Sequence, residues 1–127
     1  MTTPPKASMI KGFDTVTLQV ASVERALLFY RDALGIEFSK RSERAADALV
    51  GGVRLLLHED FDPSLKTERR GAGVGLHLSV LDVDACFEAL RERGVAAEEE
   101  PENHPWGREF TVRDPDGYEI EFIGPVV

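Results

Sequence analysis

The residues best suited to chemistry in this chain are His58, His77, Trp106 and Glu121. In Glu119-Ile120-Glu121-Phe122 the two carboxylates fall on one face of a strand and the two apolar side chains on the other. A carboxylate held rigidly on a strand can serve as a general base, or accept hydrogen bonds from a cationic ligand. His77 lies in Gly75-Leu76-His77-Leu78-Ser79, on the polar face of a second strand. It reads as a hydrogen-bonded cavity histidine, a ligand contact or a lone acid/base. Trp106 follows Pro105 and precedes Gly107. It is either a lid or wall for a flat ligand, since its ring offers a large stacking area, or an aromatic packed under a hairpin. His104 reads as an exposed loop residue. Cys86 falls in an apolar helical pattern, which points to a packed thiol rather than a nucleophile.

The element that positions Glu121 is the last hairpin, Pro105 to Phe122. Two alternating runs flank Asp114-Pro115-Asp116-Gly117, where proline pre-sets one turn dihedral and glycine accepts positive φ. Upstream, Val16, Leu18 and Val20 alternate with Thr15, Thr17 and Gln19, predicting a strand with one greasy and one polar side. Ser22 then caps a helix whose apolar face is Val23, Ala26, Leu27, Tyr30 and Leu34, and Gly35 stops it. Short strands are expected at 36–40, 48–50 and 53–58, with Gly51-Gly52 as a tight turn. Residues 59–72 carry Pro63, Gly71 and several charges and read as a linker.

After the linker the pattern restarts. Asp82 replaces Ser22 as helix cap, Val83, Cys86, Phe87 and Leu90 form the apolar stripe, and Gly94 closes the helix. Val20 matches Val80, Ser22 matches Asp82, and Leu27 matches Phe87, each about sixty residues on. Gly52 matches Gly117 with a larger shift, absorbed by the solvated acidic loop that contains Glu98, Glu99 and Glu100. The fold class predicted is α+β, a single domain over 1–127. It is built from an internal duplication of a βαβββ unit: module one about 10–60, linker about 59–72, module two about 73–124.

Each sheet would show its greasy side to a helix and leave a polar side open. Two such sheets would curve around a shared concavity lined by Thr15, Thr17, Gln19, Arg54, Leu56, His58, Gly75, His77, Ser79, Glu119 and Glu121. Concave sites with a few polar groups suit small molecules.

Composition narrows the partners. A chain of 127 residues can bury about two-thirds of its unfolded surface. Its net charge of −8 argues against nucleic acid and against an anionic membrane surface. One cysteine forbids an intrachain disulfide. No apolar run approaches the roughly 18 residues of a membrane span, and Met1 to Ser8 lacks a secretory core, so a cytoplasmic location is expected.

Ser22-Val23-Glu24-Arg25-Ala26, then Phe29-Tyr30-Arg31-Asp32-Ala33-Leu34-Gly35, and later Pro105-Trp106-Gly107 with Asp114 to Phe122, resemble the vicinal oxygen chelate superfamily. This is the glyoxalase, bleomycin-resistance and extradiol-dioxygenase group, and the resemblance runs from about Ile10 to Gly124. It implies paired βαβββ modules around a cup-shaped half-barrel cavity, usually in a homodimer. It also implies, for metal-dependent members, four ligands of His, Gln or Glu type. By motif these positions are Thr15, Leu56, Gly75 and Glu121, and only Glu121 is of ligand type. Glycine and leucine offer no side-chain donor, so no metal cofactor is expected. A displaced His58/His77/Glu121 site is the metal alternative. It requires two histidines about 6.8 Å along their strands from the usual positions to converge on one ion.

Three functions follow from the resemblance. One is a bleomycin-resistance-like binding protein that sequesters a small aromatic or cationic compound, an antibiotic-resistance role among them. Its ligand residues would be Thr15, Thr17, Gln19, His58, His77, Ser79, Trp106 and Glu121. The second is a metal-dependent lyase, isomerase or thiol transferase using a divalent ion. The third is a metal-free enzyme with Glu121 or His77 as acid or base. Glu121 also reads as a motif residue retained after the metal was lost.

Overall fold

The computed structural model describes residues 9–60 and 70–127. Module one runs β1 (Thr15–Val20), α1 (Val23–Leu27), a wider π-helical continuation (Leu28–Ala33), β2 (Ser39–Ser42), β3 (Ala45–Val50) and β4 (Val53–Glu59). Module two runs β5 (Gly75–Ser79), α2 (Val83–Glu92), β6 (Glu102–His104), β7 (Gly107–Arg113) and β8 (Glu119–Gly124). Each module is βαβββ, and each makes its own four-stranded sheet, ordered β1-β4-β3-β2 and β5-β8-β7-β6.

The two registers repeat. β1 runs parallel to β4 with Thr15 opposite Arg54, and β5 runs parallel to β8 with Gly75 opposite Glu119. The pair Thr17/Leu56 in one module therefore occupies the place of His77/Glu121 in the other.

Local chemistry explains the helix starts and stops. Ser22 Oγ accepts from the Arg25 amide at 3.2 Å, and Asp82 Oδ1 accepts from the Ala85 amide at 3.0 Å. Gly35 and Gly94 leave their helices with φ of 80° and 82°, where a side chain would be strained. The widened turn, with Leu34 N–H bonded to Phe29 C=O and Ile36 N–H to Tyr30 C=O, brings neighbouring Phe29 and Tyr30 both into the core.

Two strand positions differ from expectation. Strand β2 begins at Ser39 and ends at Ser42, and β3 begins at Ala45, three residues before the predicted start. Ala45, Ala46, Asp47 and Ala48 are all buried, so no polar alternation marks them. Ile36 and Phe38 instead edge the core from an irregular segment. Of the predicted linker, residues 61–69 lie outside the described residues, Glu59 ends β4, and Arg70 is buried.

The greasy faces of both sheets and both helices share one core that includes Leu18, Val20, Leu27, Leu57, Val112 and Ile120. Burying each such side chain stabilises the fold by about 1.5–3 kcal/mol. The modules are also clamped by the Asp114-to-Tyr118 turn. Tyr30 Oη donates to Asp114 Oδ2 at 2.7 Å, and Tyr118 Oη donates to the Gln19 carbonyl at 2.9 Å. Asp116 Oδ1 accepts from Arg70 Nη1 at 2.8 Å, from the Ala21 amide at 3.0 Å and from Arg25 Nη2 at 3.1 Å. Arg70 also pairs with Asp60. Among the described residues, no helix is long and apolar enough to cross a membrane.

Candidate functional site

The parallel pairing of β5 with β8 sets His77 directly opposite Glu121. Both point to the polar face, and His77 Nδ1 stands 3.0 Å from Glu121 Oε2. The histidine side chain is 64% exposed and the glutamate 16%, so the imidazole faces outward over a mostly covered carboxylate.

Strand β7 extends this face. Thr111 lies opposite Glu121, and Glu109 lies opposite Ile123 one step further along. Glu109 shares a hydrogen bond with Glu121, accepts from Trp106 Nε1 at 3.1 Å, and lies 3.4 Å from His104 Nε2. The His104 and Trp106 rings stack with centroids 4.7 Å apart and planes 1° from parallel. Trp106 remains 65% exposed. It is therefore held by a hydrogen bond and a stacked neighbour on an open surface, not packed beneath the hairpin. His104 is half-buried as Trp106's support, rather than the exposed loop residue expected.

Burial pushes the Glu121 carboxyl above the usual glutamate range. His77 pulls it down, but Glu109, by charge and hydrogen bond, and Glu119 push it up again. A carboxyl raised in this way and set beside an imidazole is a candidate acid or base. The Cys86 thiol is also pushed up by burial, which makes it a poor nucleophile.

The other predicted site residues lie elsewhere. Thr15, Thr17, Gln19 and His58 occupy the polar face of the first sheet. Thr15 Oγ1 donates to Asp14 Oδ2 at 2.6 Å, and His58 Nδ1 lies 2.6 Å from the Glu59 carbonyl. Where the modules meet, a cleft of about 590 Å³ takes Arg54, His77 and Ser79 from the predicted lining. Its remaining wall is largely apolar, with Val16, Leu55, Leu76, Leu78 and Cys86. Strands β1 and β5 are the open edges of their sheets beside it.

The donor set does not fit the four-ligand ion site that the family resemblance implies. Leu56 and Gly75 have no donor, the Thr15 hydroxyl is committed to Asp14, and Glu121 is engaged by His77 and Glu109. For the displaced site, His77 and Glu121 come together, while His58 lies on the other sheet. Among the described residues, no group of three or more His, Cys, Asp or Glu side chains is arranged to hold a metal ion.

Glu109 belongs to the candidate site by its contacts with Trp106 and His104, and it was not among the residues expected there. The signal was available, because alternation along Gly107–Arg113 puts Glu109, Thr111 and Arg113 on the same side as Glu121.

Three relatives bear on this geometry. The chain is 33% identical over 121 residues to a lactoylglutathione lyase of Neisseria meningitidis, spanning 84% of this chain and 85% of that one. It is 29% identical over 107 residues to the metallothiol transferase FosB of Staphylococcus haemolyticus, spanning 84% and 72%. In structure it is similar to TnmS3, an antibiotic binding protein from Streptomyces sp. CB03234, with a TM-score of 0.76 and 30% identity over 94% of this chain and all of that one. Residues 12–122 match the model of the Glyoxalase/Bleomycin resistance protein/Dioxygenase superfamily, and the chain belongs to that superfamily.

Proposed function

We propose that this protein sequesters a small, flat organic compound, aromatic or cationic, on the polar face of module two without a metal ion. The observation that carries the reading is the exposed Trp106 ring, backed by His104 and tethered to Glu109, beside a second carboxylate at Glu121. The ring supplies stacking area, and the two acids supply acceptors for a cationic or hydrogen-bond-donating edge. The absence of donors at Leu56 and Gly75 and the likeness to an antibiotic binding protein support it. So does the net charge of −8, which favours cations over anions near the surface. We place the working unit as a cytoplasmic homodimer, in which a second copy covers the open β1 and β5 edges and adds the Thr15, Thr17, Gln19 and His58 face to the cup.

The chain has one tryptophan, so its fluorescence reports on this site alone. Planar aromatic and cationic compounds should quench Trp106 saturably and be recovered unchanged, with no stoichiometric metal in the purified protein. Turnover of the bound compound would replace sequestration with catalysis. One observation favours that second reading: the His77–Glu121 pair at 3.0 Å is a carboxylate-oriented imidazole, able to take a proton from a substrate held against it. Glu121→Gln separates the two, because loss of turnover with affinity kept indicates catalysis.

A further inference from the structure

A second cleft, of about 970 Å³, is lined wholly by module one and includes two arginines that share one carboxylate. Among its lining residues is Asp47 on β3, a buried carboxylate. Arg41 Nε donates to Asp47 Oδ1 at 2.9 Å, and Arg54 Nε lies 3.7 Å from Asp47 Oδ2. Both guanidiniums engage Asp47 through Nε, and among the described residues their terminal Nη groups have no protein partner. Both side chains also line the cleft.

Two features make this more than a surface ion pair. A buried carboxylate needs one cation for neutrality, and here it positions two, leaving a positive excess. Moreover, the β2–β3 ladder passes from Lys40/Ala46 to Ser42/Ala45 and skips Arg41. Arg41 is thus the unpaired residue of a bulge, a device that re-aims a side chain. The remaining charges on the wall are Arg31, bonded to Asp32 outside it, and Glu37. With Arg31 matched by Asp32, the cleft carries two arginines against Glu37 and Asp47 and is neutral overall, in a chain whose net charge is −8. Ile36, Phe38 and Val50 supply an apolar wall beside the two forks.

We propose that this cleft binds the anionic group, carboxylate or phosphate, of a small amphiphilic molecule. Arg41 and Arg54 hold the anion, Asp47 orients them, and Ile36, Phe38 and Val50 take the apolar body. Planar guanidiniums with free Nη atoms match both oxyanions in a forked geometry. The site shares Ile36, Val50, Gly51 and Arg54 with the cleft where the modules meet, but Trp106, Glu109 and Glu121 do not line it, so it stands whether or not module two sequesters its ligand.

The test is a titration of the intact protein with octanoate, octyl phosphate, inorganic phosphate and octyltrimethylammonium, followed by amide NMR shifts and calorimetry. Octanoate or octyl phosphate should bind saturably and shift the Gly51 and Arg54 amides, and whichever headgroup binds more tightly identifies the class. Affinity should fall at least about tenfold in Arg41→Gln/Arg54→Gln, a loss of about 1.4 kcal/mol. This variant leaves the buried Asp47 carboxylate without a cation and should melt below the parent, so Arg41→Lys/Arg54→Lys is titrated beside it: it keeps both charges on Asp47, loses the forks, and should fold like the parent yet bind the anion less tightly. Saturation by inorganic phosphate alone would remove the apolar seat and overturn the amphiphile assignment. Equal binding of octyltrimethylammonium, affinity unchanged in Arg41→Gln/Arg54→Gln, or no saturable shift up to about 10 mM of any probe would overturn the anion site.

Discussion

Tyr30 and Asp114, separated by 84 residues, are joined by a 2.7 Å hydrogen bond from the phenol to the carboxylate in the buried seam between the modules. Burial and the adjacent acid push the Tyr30 phenol far above its usual range, so it stays a donor at all working pH values. Tyr30→Phe keeps the ring packing and strips the donor. It should lower stability by roughly 1–3 kcal/mol, the cost of leaving a buried acceptor unmatched. Urea unfolding should show a lower midpoint with an unchanged slope.

Arg70 is a stronger case. Its side chain is 1% exposed and pairs with an Asp116 side chain that is fully buried. Arg70→Met should cost roughly 3–5 kcal/mol, because a charge is left buried with only half-exposed Arg25 beside it. The double variant Arg70→Met/Asp116→Leu should recover much of that loss in thermal unfolding.

Glu121 predicts a pH dependence whose sign follows from its cause. Its carboxyl is raised in the folded protein, so the folded state binds this proton more tightly than the unfolded chain does. The associated stability is present below the unfolded glutamate pKa and is lost as pH rises through the folded value. A cationic ligand responds the other way, since it needs the carboxylate. Its affinity should increase with pH across the same window, and Glu121→Gln should flatten both profiles. Paired denaturation and Trp106 titration series would check this.

Burial likewise raises Asp114, against the pull of the Tyr30 hydroxyl and the Tyr118 and Asp116 amides. Asp114 should add to the stability gained on mild acidification, with the same sign as Glu121. Asp114→Asn should remove that increment and lower the midpoint at every pH, because the side-chain amide cannot replace both carboxylate acceptors.

Trp106→Ala should weaken a stacked ligand by about 1 kcal/mol or more, and Trp106→Phe should restore part of it. Affinity must be read by calorimetry here, since the fluorophore is gone. Glu109→Gln keeps an acceptor for the indole but removes a charge, so it should spare a neutral aromatic ligand and weaken a cationic one.

Much of the fold was legible because its signals are local. Ser22 and Asp82 cap helices, Gly35 and Gly94 end them, and the sixty-residue echo of Val20, Ser22 and Leu27 announces two modules. Strand β3 was misplaced because Ala45 to Ala48 are small and buried on both sides, so alternation carries no contrast there. That hid Asp47 and Arg41, and with them the partner of Arg54, which alone of the three was read as lining the concavity. Arg70 was hidden by company, being one charge among many in a segment with no period. His77 and Glu121 were each visible, but their proximity depends on strand register, and so does the link from Glu109 to Trp106. Asp114 and Asp116 looked like turn formers only. Their partners Tyr30, Arg25 and Arg70 are distant in the chain, and only the tertiary fold makes the turn a clamp.

The matching offset between first and fourth strands in the two halves has an evolutionary reading. Thr17 and Leu56 stand on one scaffold where His77 and Glu121 stand on its twin, so reactivity can be gained or shed in either half by exchanging two side chains while the main chain stays put. Thr17→His with Leu56→Glu would transplant an acid–imidazole couple into module one, giving a molecule that carries the same couple twice.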